Sequence, residues 1–323
     1  MLLTRRYRLR RVAAALLAGV LLCIAGWSLA APADASTATS PDPEAAGAEM
    51  NVWKAVVLGA VEGVTEYLPV SSTGHLVVTE RLLGIGENDA TKDAADSFAI
   101  AIQFGAILAV LLLYRQRIWS MARGLLGLDP VGRRLLTALL LAFLPAVVIG
   151  VTLERPIKDN LLSVGPVVAA WIVGGLVLLW VAPRLRPDRP GLHLTEIGWR
   201  QALLIGIAQV AAMWPGTSRS LVTILAALAV GMTLAAAVEF SFLLGLLTLG
   251  AATVYESATN GSVVIDAYGW VSPVVGLLVA FVAAVAAVRW MVTWLQTRSL
   301  AIFGWERIVV GAATIALVVG GAL

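Results

Sequence analysis

Apolar stretches long enough to cross a bilayer recur along this chain, parted by short polar joints that carry most of its charge. Runs such as Leu135 to Leu153 and Ser163 to Pro183 contain no acid or base and reach the length at which an α-helix spans a hydrocarbon core. The pattern predicts full spans near 97–114, 135–153, 163–182, 234–255, 271–289 and 305–322. Two further stretches are interrupted. One predicts a helix over Val52 to Leu68, a turn over Pro69 to Gly74 and a second helix over His75 to Leu83; the other breaks at Pro215 to Ser220 within Ile205 to Thr223. Their arms are too short to cross alone, so each reads as a re-entrant helical hairpin, its broken backbone received by protein or a wet cavity. The predicted fold is an all-α integral membrane protein.

Composition agrees with this pattern: 59% of the 323 residues are hydrophobic, 13% are charged, and the mean hydropathy is +0.89, which excludes a soluble globule. A net charge of +3 raises the question of nucleic acid. The arginines answer it, because they sit in short joints rather than on one basic face, and no nucleic-acid partner is expected. Arg115, Arg117, Arg123, Arg133 and Arg134 mark one cytoplasmic joint, Arg184, Arg186, Arg189 and Arg200 a second, and Arg289 with Arg298 a third. The acidic joint holding Glu87, Asp89, Asp93 and Asp96 then lies outside, with both ends of the core. Trp119, Trp180, Trp199, Trp270 and Trp305 near span ends read as interfacial anchors. The sole cysteine, Cys23, lies in an apolar run, so neither disulfide nor thiolate chemistry is expected.

Ahead of the core, Arg5 to Arg11, the apolar run Val12 to Ala31 and an Ala-x-Ala ending make residues 1–35 a signal peptide or a signal-anchor. Residues 36–50 read as a flexible exported linker, and residues 51–323 as the membrane domain.

The two interruptions carry the chemistry. Glu62 and Glu66 stand four residues apart, on one helix face, ahead of Pro69-Val-Ser71-Ser72-Thr73-Gly74-His75. Ionisable groups inside apolar spans are costly and mark function by default. The second interruption reads Pro215-Gly-Thr-Ser218-Arg219-Ser220, with Thr223 beyond, and Gly59-x-x-Glu62 matches Gly206-x-x-Gln209. This weak repeat predicts inverted halves, about 51–160 and 198–323, whose hairpins enter from opposite faces and meet at one central site, with Ser72 near Arg219. Arg219 with Ser218, Ser220 and Thr223 suits phosphate oxygens. Ser71, Ser72, Thr73 and His75 beside Glu66 supply a hydroxyl nucleophile with a base in reach, so the pair of turns is equipped for phosphoryl transfer. Glu239 reads equally as a bridge between halves or a catalyst, and His193 as a solvated loop residue. An ion-coupled carrier of an anionic or lipid-phosphate substrate shares the inverted-repeat architecture and is the alternative.

These motifs resemble the bacterial undecaprenyl-diphosphate phosphatases, also called bacitracin-resistance proteins, over roughly residues 51–323. The resemblance implies an intramembrane enzyme that removes the terminal phosphate of undecaprenyl diphosphate and regenerates the lipid carrier of cell-wall synthesis. It implies Glu62, Glu66, Ser72, His75 and Arg219 as the catalytic set, with Ser71, Thr73, Ser218, Ser220 and Thr223 lining the phosphate pocket. It also implies a divalent cation, Mg²⁺ or Ca²⁺, for which Glu62 and Glu66 are the oxygen ligands. The expected location is the bacterial cell (inner) membrane with the site facing the periplasmic or extracellular side, and a homodimer is compatible with the sequence. Residues 1–50 depart from the family's pattern.

Overall fold

The computed structural model describes residues 49–86, 89–161, 163–185 and 190–323, and for 89–90, 151–160 and 258–261 it describes the backbone only. The expected signal segment 1–35 and all but the last two residues of the linker 36–50 lie outside the described residues.

The described chain is helical, apart from one isolated bridge between Leu192 and Met232. In order the helices are α1 (Val52–Thr65), α2 (Ser72–Leu82), α3 (Asp89–Leu113), α4 (Arg115–Leu125), α5 (Pro130–Leu161), α6 (Val164–Val181), α7 (Trp199–Gln209), α8 (Arg219–Ala229), α9 (Leu234–Tyr268), α10 (Val271–Trp294) and α11 (Ala301–Val319). Six stretches are long and apolar enough to cross a membrane: Thr91–Leu113, Pro130–Gly150, Val164–Arg184, Leu234–Ser257, Val271–Trp294 and Ala301–Val319. They coincide with the six spans expected from the apolar pattern.

Three expectations are corrected. The basic joint after the first span is not a loop: α4 forms because Ile118, Met121 and Leu125 recur at helical spacing and the first two pack into the core, while Arg117 pairs with Glu239 of α9. Helices α5 and α9 run well beyond the span ends expected at 153 and 255, so Glu154–Asp159 and Glu256–Asp266 are helical rather than polar joints between spans. Helix α2 starts at Ser72, three residues earlier than expected, since the backbone reversal is made at Ser71 and not at Gly74.

Packing follows a crossed scheme. The two short leading helices are each gripped by a span from the other part of the chain, α1 along α10 and α7 along α5, while α3 packs on α9 and α6 on α11. Glycine permits the closest approaches. A Cβ on Gly59 would stand 2.3 Å from the Gly276 carbonyl oxygen of α10, and one on Gly206 would stand 2.4 Å from that of Ala142 on α5. Only glycine fits at such separations, which is why the matched Gly59-x-x-Glu62 and Gly206-x-x-Gln209 steps begin as they do. The main core joins Tyr67 and Leu68 of the first turn to Leu221 and Ile224 of α8 and Phe240 to Leu244 of α9. Both interrupted turns are therefore anchored in one apolar mass.

Candidate active site

Ser71 and Ser218 are the only non-glycine residues with positive φ among the described residues, at 74° and 73°. A serine there gives up of order 1 kcal/mol, and a strained position persists only where its surroundings enforce it. Each serine immediately precedes a helix, α2 or α8. Aligned on these two residues, Ser72 of the first turn corresponds to Arg219 of the second.

The corresponding residues meet on one carboxylate. Glu66 Oε1 accepts a hydrogen bond from Arg219 Nη2 at 2.9 Å, although the two are 153 residues apart, and Glu66 Oε2 accepts from Ser72 Oγ. The expected proximity of Ser72 and Arg219 is thus met. Arg219 is further fixed by Nη1, which donates to the Ser241 carbonyl at 3.0 Å, and by Tyr67, whose ring centre lies 5.3 Å from the guanidinium carbon. Its Nε is buried and meets no acceptor among the described residues, a donor left for an incoming anion.

One turn before Glu66, Glu62 of α1 is 1% exposed, and no donor among the described residues reaches either of its oxygens. A carboxylate in that state needs a proton or a cation. Among the described residues no three His, Cys, Asp or Glu side chains converge as a metal-binding group, so Glu62 and Glu66 offer two carboxylates and no more.

His75 lies one turn beyond Ser72 on α2, but its ring serves neither Ser72 nor the carboxylates of α1. Nδ1 stands 2.7 Å from the Ser71 carbonyl oxygen and Nε2 stands 2.9 Å from Glu306 Oε1, with Trp171 edge-on at 4.9 Å between ring centres. The carboxylate in contact with Ser72 is that of Glu66.

The remaining expected residues divide. Ser218 caps α8 by accepting from Leu221 N–H at 3.2 Å, and Ser220 Oγ donates to the Leu68 carbonyl at 2.7 Å, tying the second turn to the first. Thr223 Oγ1 donates to the Arg219 carbonyl at 2.8 Å and meets Ser241 Oγ at 2.7 Å. These hydroxyls hold protein. Ser71 makes no capping bond with its side chain, and Thr73 is exposed. Glu239 takes the bridging role: its Oε1 accepts from Arg117 Nε at 2.7 Å, joining α9 to α4. His193 is exposed.

Sequence reasoning missed two neighbours on α11. Glu306 holds His75, and Arg307, 0% exposed, donates to carbonyls of both turns: Pro69 at 3.3 Å, Gly216 at 2.7 Å, with Ala170 at 2.9 Å and Trp171 at 3.4 Å. Pro69 and Gly216 each lie two residues ahead of a strained serine. The signal was present, as a charged pair inside an apolar span. Its partners were not, being backbone oxygens.

A hydroxyl, a carboxylate and a guanidinium gathered from two broken turns, inside a six-span helical protein, define an intramembrane site built to handle an anion. The family model of the bacitracin resistance protein BacA matches residues 55–313, and the chain belongs to that family. Among curated relatives it is 44% identical to an undecaprenyl-diphosphatase of Sorangium cellulosum over 80% of this chain and 84% of that protein. It is also 44% identical to undecaprenyl-diphosphatase 2 of Rhodospirillum rubrum, over 81% and 93%, and 41% identical to the undecaprenyl-diphosphatase of Rhodopseudomonas palustris, over 84% and 98%.

Proposed function

We propose that the protein hydrolyses undecaprenyl diphosphate to undecaprenyl phosphate and inorganic phosphate, recycling the lipid carrier of cell-wall synthesis and conferring bacitracin resistance. The observation that carries this reading is the Glu66 carboxylate, hydrogen-bonded at once to a hydroxyl nucleophile and to an anion clamp. Ser72 Oγ attacks the terminal phosphorus as its proton passes to Glu66, and the bond from phosphorus to the bridging oxygen breaks, releasing undecaprenyl phosphate. Water then attacks the phosphoserine, and phosphate leaves as Ser72 recovers a proton. Arg219, held by Glu66 and the Ser241 carbonyl, offers its remaining Nε–H to the phosphoryl oxygens as negative charge gathers on them, a contribution of about 3 kcal/mol for a preorganised donor.

Glu62, whose oxygens meet no donor among the described residues, and Glu66 beside it would hold a divalent cation such as Mg²⁺ or Ca²⁺. Bound there, it would neutralise diphosphate charge. The charge pattern supports a multi-pass protein of the bacterial cell membrane with the site facing the periplasmic or extracellular side. Exchange of partners by α1 and α7 supports two inverted halves with re-entrant hairpins.

A carrier needs the clamp but has no use for a hydroxyl held on a carboxylate, and the transporter alternative gains no support. The test is phosphate release from undecaprenyl diphosphate by purified protein in detergent, with and without chelator, beside Arg219→Ala. Release by the wild type and its loss in Arg219→Ala are expected; no release by folded wild type would return the argument to a carrier.

A further inference from the structure

Helix α11 brings to the site a carboxylate that the reaction just described does not use. Glu306 is 231 residues from His75 in the chain, yet its Oε1 lies 2.9 Å from His75 Nε2. Its other oxygen is buried and meets no donor among the described residues, where the imidazole is the partner this carboxylate has. Inside an otherwise apolar span, a glutamate placed there is expensive unless it holds something.

The hydrogen-bond inventory says what it holds. The Ser71 carbonyl can only accept, so His75 Nδ1 carries a proton. An unprotonated Nε2 facing a carboxylate would set lone pair against lone pair, so a second proton lies between Nε2 and Glu306. The ring is thereby pinned at both nitrogens and along one edge by Trp171. What it pins in turn is the Ser71 carbonyl, which takes both the side-chain Nδ1–H at 2.7 Å and the His75 backbone N–H at 3.3 Å. Ser71 is one of the two non-glycine residues held at positive φ among the described residues, and Ser72 follows it directly.

We propose that Glu306 is a positioning residue for the diphosphatase reaction: it locks the His75 ring against the Ser71 carbonyl and so fixes the strained turn that presents the Ser72 hydroxyl. It acts through His75 and touches no reacting atom. The inference rests on the diphosphatase reading above.

Glu306 is partly exposed, its side chain at 31%, so substitutions there leave the core alone. The experiment compares Glu306→Leu and Glu306→Gln by steady-state phosphate release and by ¹⁵N-histidine NMR in detergent. The chain has two histidines, so the exposed His193 serves as internal reference. Glu306→Leu is expected to lower kcat by about tenfold or more while KM stays within about threefold, and to move the His75 Nε2 resonance but not those of His193. Glu306→Gln keeps an oxygen that accepts from Nε2–H and is expected within about threefold of wild-type kcat. A wild-type rate in Glu306→Leu, a rate lost with the His75 resonances unmoved or with those of His193 moved equally, or a Gln variant as impaired as Leu overturns the proposal. Wild-type protein that releases no phosphate overturns the diphosphatase reading instead, so the two failures are told apart.

Discussion

Arg219, the first residue of α8, and Glu66, which closes α1, are 153 residues apart and joined at 2.9 Å through a single Nη2–H, while Nη1 of the same guanidinium is held by the Ser241 carbonyl. The fork therefore spans two fixed acceptors before substrate arrives, and the clamp is preorganised.

Arg219→Lys is predicted to fail despite keeping the charge. One ammonium cannot reach both acceptors and a phosphoryl oxygen with the geometry of a planar fork. Loss of a preorganised donor at a charge-developing site corresponds to about 100-fold or more in kcat. Phosphate release by folded variant measures it, and near-wild-type turnover would contradict the clamp.

Arg307 makes a stability prediction. Arg307→Met leaves the turn carbonyls of Pro69 and Gly216 without their donor in a buried site, while those of Ala170 and Trp171, inside α6, keep their helical partners. Each such orphan costs about 1–3 kcal/mol, so a net loss of about 2 kcal/mol or more is expected. Thermal unfolding in detergent reports it as a clearly lowered midpoint, and an unchanged midpoint would show that the two turns hold together without the staple.

For Glu62 the prediction concerns cation dependence. Removing one carboxylate charge from an oxygen site weakens the hold on a hard cation. In Glu62→Gln the Mg²⁺ concentration for half-maximal rate is expected to rise by about tenfold, one decade being about 1.4 kcal/mol. Titration of chelated protein with Mg²⁺ decides it; an unshifted curve removes Glu62 from the metal's shell.

Acid tolerance at the joint between α4 and α5 should follow Asp129. The Gly132 backbone N–H and then the Ser120 hydroxyl, both bonded to its carboxylate, lower its pKa from the ordinary aspartate value. A depressed carboxylate stabilises the fold above its unfolded pKa, and that contribution is lost as pH falls below about 4 toward the folded value. Asp129→Asn keeps an N-cap acceptor for α5, so little change is expected at neutral pH. Thermal midpoints measured down the acid range should fall more steeply for wild type than for Asp129→Asn, and parallel curves would contradict this.

The long spans were legible because about twenty apolar residues in succession have one use. The chemistry of the turns was legible because Glu62, Glu66 and Arg219 are too costly at membrane depth to be incidental. The start of α2 was not, because nothing about a serine announces positive φ at Ser71; the neighbouring Gly74 was the more obvious place to turn. Helix α4 was hidden by its own charge, three arginines masking a narrow apolar stripe. The hydroxyls of Ser220 and Thr223 looked like phosphate ligands since their acceptors, Leu68 and Arg219 carbonyls, have no signature in sequence. The same blindness hid Arg307.

The most direct test is a single turnover of undecaprenyl diphosphate labelled in its terminal phosphate, quenched in acid and mapped by peptide. The account predicts label on Ser72, present early and decaying as free phosphate appears, and neither label nor turnover in Ser72→Ala. Full-rate phosphate release by Ser72→Ala, with no labelled protein at any time, would contradict it.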